Sequence, residues 1–368
     1  MLELLKVHGF RTLVNTEIQF DPLTIMIGKN GVGKTTILDS LQLLGNFSRG
    51  GVDRAFGPPP WSLSWQRTKG IGYVPAVRFE VQVKTEDRYS YVLSLSERAG
   101  TPLVTEERLT RPDDNRTVAS LGPSNRPLSG TILNPEKYAG DPAIEHVSGV
   151  LKSVVSYELN PALIEQPNEP EHDYISREGF GIAGVLAHMK DSDRESFVHL
   201  EARLRQFRPE TDSIEVWSSA GKVVWGLRDK GQDYPFPAVH LSWGDRQLMG
   251  LLCILYLTVP GATIAIEEID RGFNPSRYME VVEVLSEAAY DGLDGRGRIQ
   301  IVVTTHSPSF LNRLDDRLGE IRLVTRVAEG GTIVKPLLDV TRERMGTDAP
   351  ESSVGELWES GLLEDPIA

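Results

Sequence analysis

Eight residues, GKNGVGKT at positions 28–35, constrain this chain more than any other feature. They follow LTIMI, an apolar run whose length and β-branched content suit a buried strand. They lead into KTTILDSLQLLGNF, where Ile37, Leu38, Leu41 and Leu44 fall on one helical face. Strand, glycine-rich loop and helix in immediate succession make a phosphate-binding turn. Glycines let backbone N–H groups wrap phosphate oxygens, and the helix N-terminus adds its positive dipole end. In that turn Lys34 is placed to reach the terminal phosphates of a triphosphate, and the Thr35 hydroxyl to ligate Mg²⁺. The loop residues Gly28, Lys29, Asn30, Gly31, Val32 and Gly33, with Lys34, Thr35 and Thr36, are therefore the first candidate ligand contacts.

The rest of the composition narrows the class. At 368 residues the chain can bury a large core, and 40% hydrophobic with 25% charged residues is ordinary for a globular protein. A net charge of -13 opposes nonspecific binding to nucleic acid or anionic membrane, although a local basic groove stays compatible with it. The single cysteine, Cys253, excludes an intrachain disulfide or a multi-cysteine zinc site and reads as a core residue. The longest apolar stretch, at 248–259, is shorter than the roughly 20 residues a bilayer span requires. No export signal is recognisable in MLELLKVHGF, so the expected location is the cytoplasm, without membrane insertion.

Alternating runs near 2–8 and 16–20 predict two strands before the phosphate loop. From 49 to 75 the Gly-, Pro- and Trp-rich chain reads as irregular, and Val77, Phe79, Val81 and Val83 answer YSYVLSLS as an antiparallel hairpin. Residues 98–142 read mostly as loop, 143–207 as helices, and SAGK at 219–222 as the turn of a second hairpin. After 236 the pattern runs helix 244–258, strand 263–268, helix 275–290, strand 299–304 and strand 320–327, the alternation of a parallel α/β sheet. The expected divisions are residues 1–140 and 236–340 as two lobes, 141–235 as a helical insertion, and 341–368 as a tail.

Three further elements carry chemistry. ATIAIEEID is an apolar strand running into Glu267 and Glu268, which places carboxylates at the ligand edge of a parallel sheet. Glu267 is assigned to the metal and Glu268 to the water that attacks the terminal phosphate. IQIVVTTHSP ends a second such strand at His306, within reach of that phosphate or water. In LSWGDRQLMGLL, Ser242 and Gly244 open a long apolar helix, which taken alone is no more than an N-cap.

As an ordered set, GKNGVGKT, LSWGDRQ, IAIEEID and TTHS resembles the phosphate loop, signature, Walker B strand and switch histidine of ABC-type ATPases. The opening KVHGFRTLVNTEIQFDPLTIMIGKNGVGKTT resembles the branch containing SMC, RecF and OLD-family proteins, including ATPases of anti-phage systems such as Septu. The resemblance implies an α/β head with a mixed or parallel phosphate-loop sheet, an antiparallel β subdomain and a short helical insertion. It also implies ATP and Mg²⁺ as cofactors and a homodimer formed on ATP binding. In that dimer Ser242 and Gly244 would touch the γ-phosphate held by the other subunit. Catalytic roles fall to Glu268, Lys34, His306 and Ser242, metal roles to Thr35 and Glu267, and nucleotide contacts extend to Arg11 and Asp270. Glu267 stands where the family usually has Asp, and none of Gln66, Gln82 and Gln166 is assigned as the magnesium-sensing glutamine.

Heptads are too few for a long coiled-coil arm, and 62 residues after His306 leave no room for an OLD-type nuclease module. A separate effector protein is therefore the expected partner, with a nuclease and nucleic acid both compatible, in anti-phage defence or DNA metabolism. Alternatives are the nucleotide-binding subunit of a membrane transporter and a RecF-like repair ATPase. Val354, Leu357, Trp358 and Leu362 form a short apolar stripe expected to pack on its own domain. Trp61, Trp65, Arg67 and Lys69 read as an ordinary loop.

Overall fold

Alternation in the first hundred residues becomes a six-stranded antiparallel sheet in the computed structural model. The structure describes residues 1–69, 75–114, 116–122, 131–133, 140–327, 331–346 and 352–363. Strands β1 (Leu2–Phe10) and β2 (Leu13–Gln19) form the first hairpin, and β3 (Leu23–Ile27) leads into the phosphate loop. Next come β4 (Ala76–Lys84), β5 (Arg88–Arg98), β6 (Thr101–Arg111) and β7 (Arg116–Leu121). The antiparallel sheet has the order β2-β1-β4-β5-β6-β7. Here the expectation of loop over 98–142 is corrected: β6 and β7 extend the sheet, with Val104 and Leu109 buried. Residues 123–130 and 134–139 of that expected loop lie outside the described residues.

The three-residue β8 (Val155–Tyr157) follows, then β9 (Thr211–Ser219), β10 (Lys222–Asp229) and the two-residue β11 (Phe236–Pro237). The β9–β10 turn puts both Ala220 (φ 49°) and Gly221 (φ 78°) in the left-handed region, the twist a two-residue hairpin requires. Finally β12 (Thr263–Ile266), β13 (Gln300–Thr304), β14 (Ile321–Arg326) and β15 (Thr332–Pro336) complete the second large sheet. Its order is β15-β14-β3-β13-β12-β8; all pairs are parallel except β14 with β15. The segment read as a helical insertion thus lends β8 to the phosphate-loop sheet, although its helices at Pro142–Lys152, Ile182–Ser192 and Arg194–Phe207 match the periodicity.

Both faces of this sheet are covered. Leu23, Ile25 and Ile27 point into one cluster with the helix Trp243–Leu257, while Met26 between them joins the other with the helix Lys34–Ala55. Ile264 and Ile266 against Ala265, and Ile301 and Val303 against Val302, repeat the division. Burial on both sides explains why these strands read as continuous apolar runs. The helix Lys34–Ala55 packs between the two sheets and outruns the expected irregular start at 49, kinking at Gly50 and Gly51. Buried Gln300 stitches the sheets together, accepting from Leu2 N at 2.9 Å and donating to Leu2 O at 2.8 Å.

Candidate nucleotide site

The phosphate loop, the acidic strand end and the histidine all arrive at the carboxyl edge of the phosphate-loop sheet, where open α/β folds hold ligands. The loop 28–33 leaves β3, Glu267 and Glu268 leave β12, and His306 follows β13, which lies between them. Two glycines are required by contact. A Cβ on Gly28 would lie 2.3 Å from Val324 O, and one on Gly33, at φ 115°, would lie 2.3 Å from Thr332 Oγ1 and 2.7 Å from Thr12 Oγ1. Around Gly31 nothing lies within 4 Å of a built Cβ, so the mouth of the loop is open.

Lys34 is buried and donates to Gly28 O (2.6 Å) and Lys29 O (2.9 Å). Burial lowers its ammonium pKa to about 8, against the upward pull of Glu267 and Glu268. The Thr35 hydroxyl donates to Glu267 Oε1, joining residues 232 positions apart. Glu267 Oε2 is buried without a hydrogen bond. Burial pushes this carboxyl up; the Thr35 hydroxyl and Arg177 pull it back, and Glu158 and Asp39 add to the rise. A hydroxyl and a carboxylate side by side, one oxygen of which is orphaned, are hard-oxygen donors suited to Mg²⁺.

Glu268 occupies the left-handed region at φ 49°, uncommon for a side chain with a Cβ, and its N–H donates to Thr304 Oγ1 at 2.9 Å. Its carboxylate lines a cleft of about 490 Å³ with Lys29, Asn30, His306, Pro308, Trp358 and Glu359. Burial, with Lys34 next, holds the His306 imidazole below its usual pKa; Glu268 and Asp270 oppose that. Asp270 Oδ1 is a buried oxygen without a hydrogen bond. Arg11, at φ 45°, donates from Nε to Gln66 Oε1 and from Nη1 to Asp39 Oδ2, both at 2.5 Å. Thr36 is buried in the first turn of the helix, while Lys29, Asn30 and Gly31 are exposed and Val32 half-buried.

The signature lies apart. Ser242 Oγ accepts from Asp245 N at 3.1 Å and donates to Asp245 Oδ2 at 2.8 Å, the N-cap of the helix Trp243–Leu257. A Cβ on Gly244 would lie 2.8 Å from Gly272 O, so glycine lets the 270–274 loop close against the helix start. Ser242, Trp243 and Gly244 line a separate cleft of about 530 Å³ with Arg208 and Arg277. The two clefts have no lining residue in common.

The sequence reading missed Asp39, Glu158, Arg177 and Trp358. Asp39 and Arg177 carry no motif, and Glu158 follows a strand of three residues, too short to show a period. Trp358 belongs to the apolar stripe of the tail. Of that stripe Val354 and Leu357 are buried in the core and Trp358 packs against it, whereas Leu362 is exposed; Val354 N and Gly355 N donate to Asp315 and Asn312, both at 2.8 Å. Of the glutamines weighed for magnesium, Gln66 is committed to Arg11, Gln82 lies within β4, and Gln166 donates to Ala162 O.

A phosphate loop, an acidic strand end and a histidine gathered on one edge of an α/β sheet, with an antiparallel sheet packed against it, give the fold of an SMC-type ATPase head. The chain belongs to the family described as AAA domain, putative AbiEii toxin, Type IV TA system, whose profile matches residues 23–312. Among solved structures it is similar to an SMC head bound to the C-winged helix domain of ScpA (TM-score 0.54, 13% identity, 91% of this chain and 96% of that one). It is also similar to the SMC head with an extended coiled coil, bound to the C-terminal domain of ScpA, from Pyrococcus furiosus (TM-score 0.50, 12% identity, 91% and 95% covered). At these identities the likeness is one of fold. No curated protein sequence matches. Among the described residues no helix is long and apolar enough to cross a membrane.

Proposed function

We propose that the chain is a Mg²⁺-dependent ATPase that closes as a head-to-tail homodimer on ATP and reopens on hydrolysis, switching a separate effector protein. The observation that carries this is the meeting of Thr35 with Glu267 beside buried Lys34, with an orphaned carboxylate oxygen left over. Thr35 Oγ1 and Glu267 would hold Mg²⁺, which would offset charge on the phosphate oxygens. Lys34 would release its two carbonyls for the terminal phosphates. Glu268 would accept the proton of the attacking water, and His306, kept neutral, would orient that water or the γ-phosphate. Arg11 and Asp270 are proposed at the nucleotide's edge.

The separate clefts of Ser242 and Gly244 on one side and of Lys29, Asn30, Glu268 and His306 on the other support the dimer, because a single chain would grip the γ-phosphate from one side only. Residues 1–140 and 236–340 would act as the two lobes, with 141–235 inserted and 341–368 as the tail. A cytoplasmic setting in anti-phage defence is the preferred reading, in keeping with the toxin–antitoxin description of the family. Gel filtration tests the mechanism: Glu268→Gln with Mg·ATP should elute as a stable dimer with ATP retained, and a monomer under those conditions would overturn it.

A further inference from the structure

The inference here rests on the nucleotide-site reading above and concerns a residue outside every motif. Arg177 belongs to a segment with no regular secondary structure, between the helices Pro161–Ile164 and Ile182–Ser192. Two backbone bonds, Glu158 N to Arg177 O and Asn160 N to Glu178 O, both 2.9 Å, fasten that segment beside the chain leaving β8. From there the guanidinium meets three carboxylates on three different elements. Nη1 donates to Asp39 Oδ1 at 2.7 Å, and Nη2 lies 3.9 Å from Glu158 Oε2 and 4.0 Å from Glu267 Oε2. The last of these is the orphaned oxygen of the Mg²⁺-binding pair.

We propose that Arg177 is a positioning residue that serves as the resident cation of this site: it neutralises Glu267 in the nucleotide-free protein and yields that carboxylate when a divalent cation arrives. The charge argument fixes a direction. A guanidinium near Glu267 repels an incoming cation and must also give up its own attraction. Glu267 would stay in place without it, because Thr35 holds Oε1 and the Glu267 N–H donates to Tyr157 O at 2.9 Å. Neutralising Arg177 should therefore strengthen the coupling between metal and nucleotide, by about five- to tenfold for two unit charges about 5 Å apart at a high, solvent-like effective dielectric of about 50–70. The same change removes a positive charge that attracts a metal-free triphosphate.

The test compares full-length wild type with Arg177→Gln, which keeps a donor for Asp39, Arg177→Met as a second neutral variant, and Arg177→Lys. The probe is a fluorescent, non-hydrolysable ATP analogue, titrated in EDTA and in Mg²⁺. The ratio of the two dissociation constants should rise about five- to tenfold in the neutral variants, through weaker binding in EDTA, and stay near wild type in Arg177→Lys. A ratio that is unchanged, or that falls because binding weakens mainly with Mg²⁺ as a damaged scaffold would cause, overturns the role of Arg177 alone. Wild type that binds the analogue under neither condition overturns the nucleotide-site reading and this inference with it.

Discussion

Nucleotide affinity should fall as pH rises through 8, because Lys34 begins neutral there. Burial lowers its ammonium pKa to about 8 in the free protein, where Nζ is satisfied by Gly28 O and Lys29 O. A bound triphosphate favours the charged form and returns the pKa toward its ordinary value, so above pH 8 binding must take up a proton. With a free pKa of about 8, the fraction already protonated is about nine-tenths at pH 7 and about one-tenth at pH 9, so the dissociation constant should rise about tenfold between them. Titrations in EDTA keep metal out of the comparison. At pH 8.5 calorimetry in two buffers of different ionisation enthalpy should report about three-quarters of a proton taken up per ATP. Lys34→Arg, charged throughout, is the control and should show no such slope. Wild-type affinity that stays level to pH 9.5, or a slope shared by Lys34→Arg, refutes the assignment.

Gly33→Ala should abolish nucleotide binding and lower the thermal unfolding midpoint, since strain of about 1–3 kcal/mol at φ 115° adds to a contact 2.3 Å from Thr332 Oγ1; unchanged binding by fluorescence titration would refute the loop geometry. Ser242→Ala and Lys34→Ala homodimers should each lose ATPase activity, yet their equimolar mixture should recover about a quarter of wild type, because half the dimers carry one intact composite site of two. A mixture as inactive as its parts would place Ser242 and Lys34 in the same protomer's site or in none.

The candidate site's edge was legible because its strands are buried on both faces and end directly in the residues proposed to react. LTIMI before GKNGVGKT and ATIAI before Glu267 need no tertiary information. The outer sheet was harder to read. In β6, Glu107 is buried and accepts from Tyr91 Oη at 2.8 Å, so an acid stands where alternation calls for an apolar residue, and the flanking Pro and Asp residues suggest loop. Asp39, Glu158 and Arg177 had no local signature at all. They come together because β8 lies beside β12 and the helix Lys34–Ala55 starts at the end of β3, two strands from β12, a matter of topology.

The tasks proposed for the adjacent glutamates at the end of β12 differ because the backbone turns between them. Glu267 N donates to Tyr157 O on the β8 side, whereas Glu268 N and Ile269 N donate to Thr304 Oγ1 and O on the β13 side, both at 2.9 Å. The chain changes neighbours within one residue, and φ 49° at Glu268 is the conformation that permits it. Those bonds over-determine a backbone geometry that costs about 1–3 kcal/mol for a residue with a Cβ. The two carboxylates end in different surroundings: Glu267 is turned inward onto Thr35, where it would hold the proposed Mg²⁺. Glu268 is left beside His306 in an open cleft, where water can reach it. An ordinary strand ending would also separate the two side chains, but onto opposite faces of the sheet. The left-handed residue instead keeps both carboxylates at the phosphate-loop edge, as the proposed hydrolysis of a triphosphate there would require.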